Sequence, residues 1–353
     1  MIKKEISSRI LTVAPHYIKT LGGISQVVSV YSNMYEEFNV VASTRDGSLI
    51  DRFIQTISGL YTFFRFILSK NIKIVHIHGA TKGSFWRKAI FIYLSKIFNK
   101  KVIYHIHGAN YKTFFYKHPK TITKVIQKCD LIICLSESWK SFFEEVTHPK
   151  RCIVLNNIIP LPTLFPDHHI PQKECNFLFL GRLGKRKGVY DLLEVLRDHK
   201  TYYKGRIKLF LGGDGEIEQV QKCIKEYGLE EIVKYIGWIT GEKKIELLNK
   251  SDVYILPSYS EGLPISILEA MSYKLPIIST NVGGIPEVVF NDQNGYLITP
   301  GDQPALKICI DKVLISETLR KKMGENSYTL SQKHFPYEIE QKLTTIYTEL
   351  LKK

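Results

Sequence analysis

Residues 254–272 read YILPSYSEGLPISILEAMS, and this stretch decides the fold class. An apolar run ends at Leu256, a polar loop follows, and Pro264 suits the first turn of a helix that continues through Ala270. A buried strand that passes through a loop into a helix is the repeating part of a βαβ unit. The stretch therefore predicts an α/β fold built on a parallel sheet.

The same alternation of short apolar runs and longer amphipathic segments extends along the whole chain. It predicts two parallel sheets, one in each half. The first would hold six strands, at Ile10–Ala14, Phe38–Ala42, Ile72–Ile77, Val102–Ile106, Leu131–Leu135 and Arg151–Leu155. The second would hold six more, at Cys175–Leu180, Lys208–Gly212, Val233–Ile236, Val253–Leu256, Pro276–Ser279 and Gly295–Ile298.

The length of 353 residues favours two domains, because a domain commonly takes about 100–200 residues. Residues 158–172 contain four prolines and no periodicity, which indicates a linker. We predict an N-terminal Rossmann-like domain over residues 1–160, a linker over 161–174 and a C-terminal Rossmann-like domain over 175–337. Residues 338–353 are predicted to form an amphipathic helix.

Composition and the N-terminus favour a cytoplasmic globular protein. Hydrophobic residues make up 44% and charged residues 24% of the chain, which are ordinary values for soluble domains. The six cysteines form no C-x-x-C pair and the N-terminus has no apolar signal segment, so neither disulfides nor secretion is indicated. No apolar run approaches the roughly 18 residues that span a bilayer, so any membrane contact is expected to be peripheral.

Positive charge is concentrated in the first half of the chain. The formal net charge is +15, of which +13 lies in residues 1–170 and +2 in residues 171–353. Residues 52–129 contain fifteen Lys and Arg and no Asp or Glu, interleaved with aromatic residues at Phe63, Phe64, Phe66, Trp86, Phe91, Tyr93, Phe98, Phe114, Phe115 and Tyr116. This predicts an anionic partner, because solvated surfaces usually mix their signs. We expect the cytoplasmic face of an anionic membrane rather than nucleic acid, since no nucleic-acid-binding module is recognised.

Two glutamates flank the start of the helix in the opening stretch. Glu261 lies in the loop before it and Glu269 on its second turn, so both can face a ligand at the carboxyl edge of the sheet. Helix capping would account for Glu261 but poorly for Glu269.

A glycine-rich basic loop follows the predicted strand Cys175–Leu180 and carries Arg182 and Lys187 into a helix. Backbone N–H groups, the helix dipole and two cations converge there, which suits a diphosphate. A solvated basic turn would have the same composition.

The remaining signals are weaker. Gly22, Gly23 and Gly213 follow predicted strands, where glycine allows a close approach of backbone to ligand but also serves ordinary turns. The sequence His-Ile-His-Gly-Ala occurs at residues 76–80 and again at 105–109. Each pair of histidines alternates by two and so shares one face of its strand. A metal is not expected, because no carboxylate accompanies them and strand-end packing accounts for each pair.

Taken in order, these motifs resemble the retaining glycosyltransferases of family 4, the group 1 glycosyltransferases. The resemblance covers essentially the whole chain. It rests on the order of five motifs, namely Gly22-Gly23, His107-Gly108, Gly181-Arg182 with Lys187-Gly188, Gly213-Asp-Gly215, and Glu261 with Glu269 separated by seven residues. It implies the GT-B fold, in which an acceptor domain and a nucleotide-sugar donor domain face each other across a cleft. It also implies that the C-terminal helix crosses back onto the N-terminal domain.

The resemblance assigns roles to individual residues. Arg182 and Lys187 would hold the donor diphosphate, and Glu269 would bind the ribose hydroxyls. His107 would lie beside the reacting sugar. The donor sugar would contact Glu261, Gly262 and Leu263. Gly22 and Gly23 would close over the donor phosphates. Gly213 would belong to the loops that bind the donor. One departure is Asn156-Asn157-Ile158-Ile159, which replaces a turn found in many members, so no site is assigned there.

The implied reaction moves a sugar from a UDP- or GDP-sugar to a glycan or lipid-linked acceptor, with retention of configuration and without a metal. Synthesis of capsule, exopolysaccharide or lipopolysaccharide is its natural setting. Three alternatives remain open at this point: a glycosidase that uses Glu261 and Glu269 as its carboxylates, a nucleotide-sugar epimerase of the same fold, and a basic nucleic-acid-binding protein.

Overall fold

The computed structural model describes residues 1–18, 20, 22–163 and 174–352. The chain divides into two compact units, Met1–Pro160 with His334–Lys353, and Leu161–Lys333. Most of the predicted linker, residues 164–173, lies outside the described residues.

The first unit contains a six-stranded parallel sheet in the order β2-β1-β3-β4-β5-β6. Its strands are β1 (Ile10–Ala14), β2 (Asn39–Ala42), β3 (Ile74–Gly79), β4 (Lys101–Ile106), β5 (Leu131–Cys134) and β6 (Cys152–Val154). Its helices, in chain order, are α1 (Lys4–Ser7), α2 (Gly23–Ser32), α3 (Leu49–Ile67), α4 (Gly83–Ile97), α5 (Tyr111–Lys117), α6 (Pro119–Lys128) and α7 (Glu137–Thr147). The register of β3 and β4 places His78 opposite His105, so the two predicted histidine pairs lie side by side.

The second unit repeats this plan, with strand order β12-β11-β10-β7-β8-β9. Its strands are β7 (Cys175–Leu180), β8 (Ile207–Gly212), β9 (Val233–Gly237), β10 (Val253–Leu256), β11 (Ile277–Thr280) and β12 (Gly295–Ile298). Its helices are α8 (Val189–Asp198), α9 (Lys200–Tyr203), α10 (Ile217–Glu226), α11 (Gly241–Lys250), α12 (Ile265–Ser272), α13 (Gln303–Ile315) and α14 (Glu317–Ser331). All twelve predicted strands are confirmed, with ends that agree to about two residues.

The last helix, α15 (Pro336–Lys352), packs on the first unit. The hydroxyl of Tyr347 lies 2.6 Å from Nδ1 of His76, and the Arg151 guanidinium forms an ion pair with Glu349 at 2.8 Å. These contacts fix the C-terminal segment against β3 and the start of β6.

One detail of the sequence interpretation was wrong. Pro264 precedes helix α12 as its N-cap and does not lie in the first turn, because its backbone is extended (ψ 122°). Part of the aromatic set between residues 52 and 129 belongs to the core: the residues at 63, 91, 114 and 115 are buried between helices and sheet and are not available to an anionic partner. No helix among the described residues combines the length and the apolar character that a membrane span needs.

Candidate active site

Two loops of the second unit interlock at the carboxyl edge of its sheet. One follows β7 and forms a short 3₁₀ turn at Lys185–Lys187; the other follows β10 and leads into α12. Gly188 adopts a positive φ of 70°, and a Cβ atom there would lie 1.9 Å from the carbonyl oxygen of Pro257. The backbone N–H of Tyr259 donates to the carbonyl of Arg186 at 2.8 Å. The glycine therefore allows the two loops to touch through their backbones.

This contact brings together Lys187 and Glu261, which the sequence placed in separate motifs. The Lys187 ammonium lies 2.6 Å from Oε1 of Glu261, and the Glu261 residue is only 6% exposed. The Arg186 guanidinium lies 3.4 Å from the same oxygen and donates to the carbonyl of Ser260 at 2.9 Å. Sequence reasoning did not single out Arg186, although it stands next to Lys187 in the basic loop.

Glu269 lies on the second turn of α12 and is 5% exposed. Its Oε1 atom forms an ion pair at 2.6 Å with Lys244, which α11 contributes. No sequence signal pointed to Lys244, since one cation in an exposed helix rich in Lys and Glu is unremarkable. Because a buried carboxylate without a partner is costly, the ion pair with Lys244 stabilises Glu269 and holds it in place.

Arg182 lies on the rim of this edge, with a side chain 71% exposed and a guanidinium 4.0 Å from Asp214. Its loop is held by the backbone, because Leu183 donates to the Asp214 carbonyl at 2.6 Å. Gly213 permits this contact: a Cβ atom there would lie 1.8 Å from the carbonyl oxygen of Gly181. The loop after β8 thus supports the loop that carries Arg182.

Gly262 and Leu263 lie directly beside Glu261. The carbonyl of Gly262 accepts a hydrogen bond from the N–H of Gly284 at 2.6 Å, and the Leu263 side chain is buried. The structure therefore gathers Arg182, Lys187, Gly213, Glu261, Gly262, Leu263 and Glu269 at the carboxyl edge of one sheet, where open α/β sheets bind ligands.

The remaining predicted site residues lie in the first unit. Gly22 is the N-cap of α2, with φ 128°, and Gly23 is the first residue of that helix. His107 follows β4, and its backbone N–H donates to the Gly79 carbonyl at 2.8 Å. Its Nε2 lies 3.0 Å from Nδ1 of His78. Burial lowers the pKa of His107 to about 3, so its imidazole is neutral at pH 7.

Within the described part of the chain, His76, His78 and His105 form one group in which one ring nitrogen of each residue lies within 4.8 Å of the other two. Two nitrogens on one zinc ion lie only about 3.4 Å apart at tetrahedral geometry. The rings of His76 and His105 are nearly parallel, with planes 10° apart, and no carboxylate belongs to the group. This geometry favours ring packing. Metal-independent activity stays a prediction.

The chain contains two α/β units, each built on a parallel sheet of six strands, and one of these sheets carries charged loops at its carboxyl edge. This combination is that of the GT-B class of glycosyltransferases. The chain belongs to the group 1 glycosyl transferases, whose family model matches residues 162–330. It is 30% identical to "Uncharacterized glycosyltransferase MJ1069" of Methanocaldococcus jannaschii, over 70% of this chain and 68% of that one.

Two further comparisons bear on the fold and on the setting. The chain is 26% identical to "Putative colanic acid biosynthesis glycosyltransferase WcaL" of Escherichia coli K12, over 52% of this chain and 47% of that one. The structure of Anabaena Alr3699/HepE in complex with UDP and glucose matches with a TM-score of 0.75 at 15% identity, over 96% of this chain and 99% of that one. The latter likeness concerns the fold alone.

Proposed function

We propose that this protein transfers a sugar from a UDP- or GDP-sugar to a lipid-linked or glycan acceptor, with retention of configuration, during synthesis of a surface polysaccharide. The observation that carries the proposal is the buried Lys187–Glu261 pair within a cationic, glycine-rich loop at a sheet edge. The polysaccharide setting is supported by the likeness to WcaL, a relative named for colanic acid biosynthesis.

The charge of the loop suits a departing diphosphate. Arg182, Lys185, Arg186 and Lys187 supply four cations, whereas the carboxylates beside the loop are those of Asp214, Glu216 and Glu261. The loop thus retains excess positive charge. Lys187 has three N–H donors, so it can hold Glu261 and still donate to a phosphate oxygen. Charge stabilisation and positioning then provide most of the catalysis, because the leaving group carries the negative charge that develops.

Helix α3 of the first unit supports an acceptor that resides at a membrane. It exposes a stripe of large apolar side chains, each 38–83% exposed, at spacings of three and four residues. The stripe consists of Leu49, Ile50, Phe53, Ile54, Ile57, Tyr61 and Phe64, and continues to Leu68 just beyond the helix. The opposite side of α3 packs on the core through Phe63 and Ile67, so apolar residues line both sides of this helix.

Helix α4 adds a second exposed stripe, formed by Trp86, Ile90, Tyr93 and Ile97. The two helices contact each other through Phe63 and Phe91, whose ring centroids are 5.0 Å apart. Cations on and beside these helices, such as Arg52, would each contribute about 1 kcal/mol near an anionic surface. Apolar stripes bordered by cations fit the interface of an anionic bilayer, so we propose peripheral attachment there.

A panel of nucleotide sugars tests the donor claim. A ligand that binds the folded protein stabilises it by about 2.7 kcal/mol at a hundredfold excess over Kd, which is visible as a rise in Tm. We expect a UDP- or GDP-sugar to raise Tm and to lose its sugar only when an acceptor is added. If no nucleotide sugar raised Tm, the proposal would be refuted; an altered nucleotide sugar formed without acceptor would indicate an epimerase.

A further inference from the structure

His78 is a buried histidine to which the proposed reaction gives no role. It lies near the end of β3, and the register of β3 with β4 places it opposite His105. His107 comes directly after β4, two residues beyond His105, so these two histidines share one face of the sheet. The repeated His-Ile-His-Gly segments therefore bring His78 and His107 to adjacent positions at the carboxyl edge of the first sheet.

A hydrogen bond joins the rings of His78 and His107. Nδ1 of His78 lies 3.0 Å from Nε2 of His107, and the two ring planes differ by 22°. The ring of His105 lies nearer to that of His107, with centroids 4.3 Å apart, yet within the described chain neither of its nitrogens bonds His107. Of these two neighbours, His78 is the one that can orient His107 through a hydrogen bond.

Packing fixes the ring of His78 itself. The residue is fully buried, and its ring stacks on that of His76, with centroids 4.4 Å apart and planes that differ by 24°. The ring of Tyr31 meets it edge to face, at 5.5 Å and 76°. His76 is held in turn by Tyr347 of α15, whose hydroxyl lies 2.6 Å from its Nδ1. A ring enclosed in this way keeps one orientation, so Nδ1 of His78 stays directed at His107.

Both imidazoles of this hydrogen bond are neutral at pH 7. Burial holds the pKa of His78 well below its usual value, and burial lowers the pKa of His107 to about 3. A neutral imidazole carries one N–H and one bare nitrogen, so one of the two rings donates and the other accepts.

The second nitrogen of His78 decides the direction of the bond. Nε2 of His78 is buried and has no hydrogen-bond partner in the part of the chain that the structure describes. If His107 were the donor, His78 would carry its proton on Nε2, as a buried N–H without an acceptor, and such groups are rare and costly. If His78 donates from Nδ1, its Nε2 is a bare nitrogen and His107 carries its proton on Nδ1.

We propose that His78 is a positioning residue, which donates from Nδ1 to Nε2 of His107 and so holds His107 in the tautomer protonated on Nδ1. The hydrogen bond at one ring nitrogen sets the protonation of the other in this way. The proposal rests on the proposed function and deepens it, because His107 then offers the sugar a hydrogen-bond donor at Nδ1 and cannot act as a base through Nε2.

Nitrogen-15 NMR of the full chain tests the tautomer directly, because protonated and bare ring nitrogens differ in chemical shift. The His107 signals are those that disappear in His107→Ala. We expect His107 to be protonated on Nδ1 in the wild type, and the form protonated on Nε2 to appear in His78→Phe, which keeps a ring but lacks the donor. A wild-type His107 protonated on Nε2 would overturn the inference, and so would an unchanged tautomer in His78→Phe.

Turnover of the nucleotide sugar separates positioning from packing. His78→Phe should lower kcat about tenfold, the effect of one hydrogen bond, with little change in the KM of the donor. His78→Asn should recover most of this loss, because its amide N–H takes the place of Nδ1–H. His105→Phe is the matched control, since it changes a ring of the same cluster that does not bond His107, and its folded fraction should keep the wild-type kcat.

Two kinetic outcomes would refute the inference. Equal losses of kcat in His78→Phe and His105→Phe, or no recovery in His78→Asn, would leave His78 with a packing role alone. A different result would single out the proposed function. If the wild type turned over no nucleotide sugar while His107 showed the expected tautomer and its change in His78→Phe, the proposed function would fail and the hydrogen bond from His78 to His107 would stand.

Discussion

The ammonium nitrogen of Lys187 lies 2.6 Å from Oε1 of Glu261, although the two residues are 74 positions apart in the sequence (261 − 187). Each partner is the charge that keeps the other in place, because both side chains are largely removed from water. The basic loop and the acidic loop therefore act as one structural unit.

Removal of the Glu261 charge should affect both stability and turnover. In Glu261→Gln, Lys187 loses its ionic partner, so the free energy of unfolding should fall by about 3 kcal/mol. We expect kcat to fall more than KM for the donor rises, because the carboxylate holds a group that acts on the departing diphosphate. Glu218→Gln, an exposed glutamate on α10, is the control. Wild-type turnover and stability in Glu261→Gln would contradict the assignment.

Lys244 should influence donor binding through Glu269. Lys244→Met leaves a buried carboxylate without its cation, so Glu269 should lose its orientation. We expect the Kd of the donor nucleotide to rise about tenfold in Lys244→Met and in Glu269→Gln, with a smaller change in kcat. The neighbouring exposed residue provides a matched control, Lys243→Met. If the two Lys variants bound the nucleotide equally well, Lys244 would have only a structural role.

His107 and His76 should behave differently although both imidazoles are neutral at pH 7 and lie on or directly after neighbouring strands. His107→Ala should lower kcat about hundredfold with little loss of Tm, as expected for a lost polar contact at the reacting centre. His76→Ala removes the hydrogen bond to Tyr347 and should lower Tm while the folded fraction keeps its activity. Parallel losses of Tm in both variants, with activity retained by the folded enzyme, would support packing as the sole role of His107.

Much of this architecture follows from the sequence because each strand is a short apolar run between turn residues, and β7 and β10 are bounded by glycine and proline. Long-range partners do not follow in this way. Lys244 reaches Glu269 only because α11 packs near α12, which no local pattern encodes. The exposed stripe of α3 was also missed: with apolar residues on both sides, periodicity cannot tell which side faces the core.

The exposed stripe should bind the protein to membranes. Ile54→Glu with Ile57→Glu places two charges on α3, and each lost isoleucine forfeits roughly 1.5–3 kcal/mol of apolar burial in the bilayer. We expect wild-type protein to float with phosphatidylglycerol vesicles, and the double variant to remain in solution even at low salt. Ile308→Glu, an equally exposed isoleucine on α13, is the control.

The contribution of positive charge to membrane binding is tested separately. Changing Lys112, Lys117, Lys120 and Lys124 to Glu should abolish flotation with phosphatidylglycerol vesicles. Wild-type flotation should weaken as salt rises, because salt screens the cations. Flotation with neutral vesicles alone, or none at all, would refute membrane attachment. A dimer that dissociates in the α3 variant would instead make the stripe an interface between two copies.

The most direct test of the central claim is calorimetric titration of UDP and GDP into wild-type protein and into the double variant Arg182→Ala, Lys187→Ala. The account predicts one nucleoside diphosphate bound per chain, and at least about a hundredfold weaker binding in the double variant, because two charge-assisted contacts of about 1.4 kcal/mol or more are lost. Arg197→Ala, a cation on α8 paired with Asp198, should bind as the wild type does. Equal affinity in the double variant and the wild type would contradict the account, since the diphosphate would then be held elsewhere.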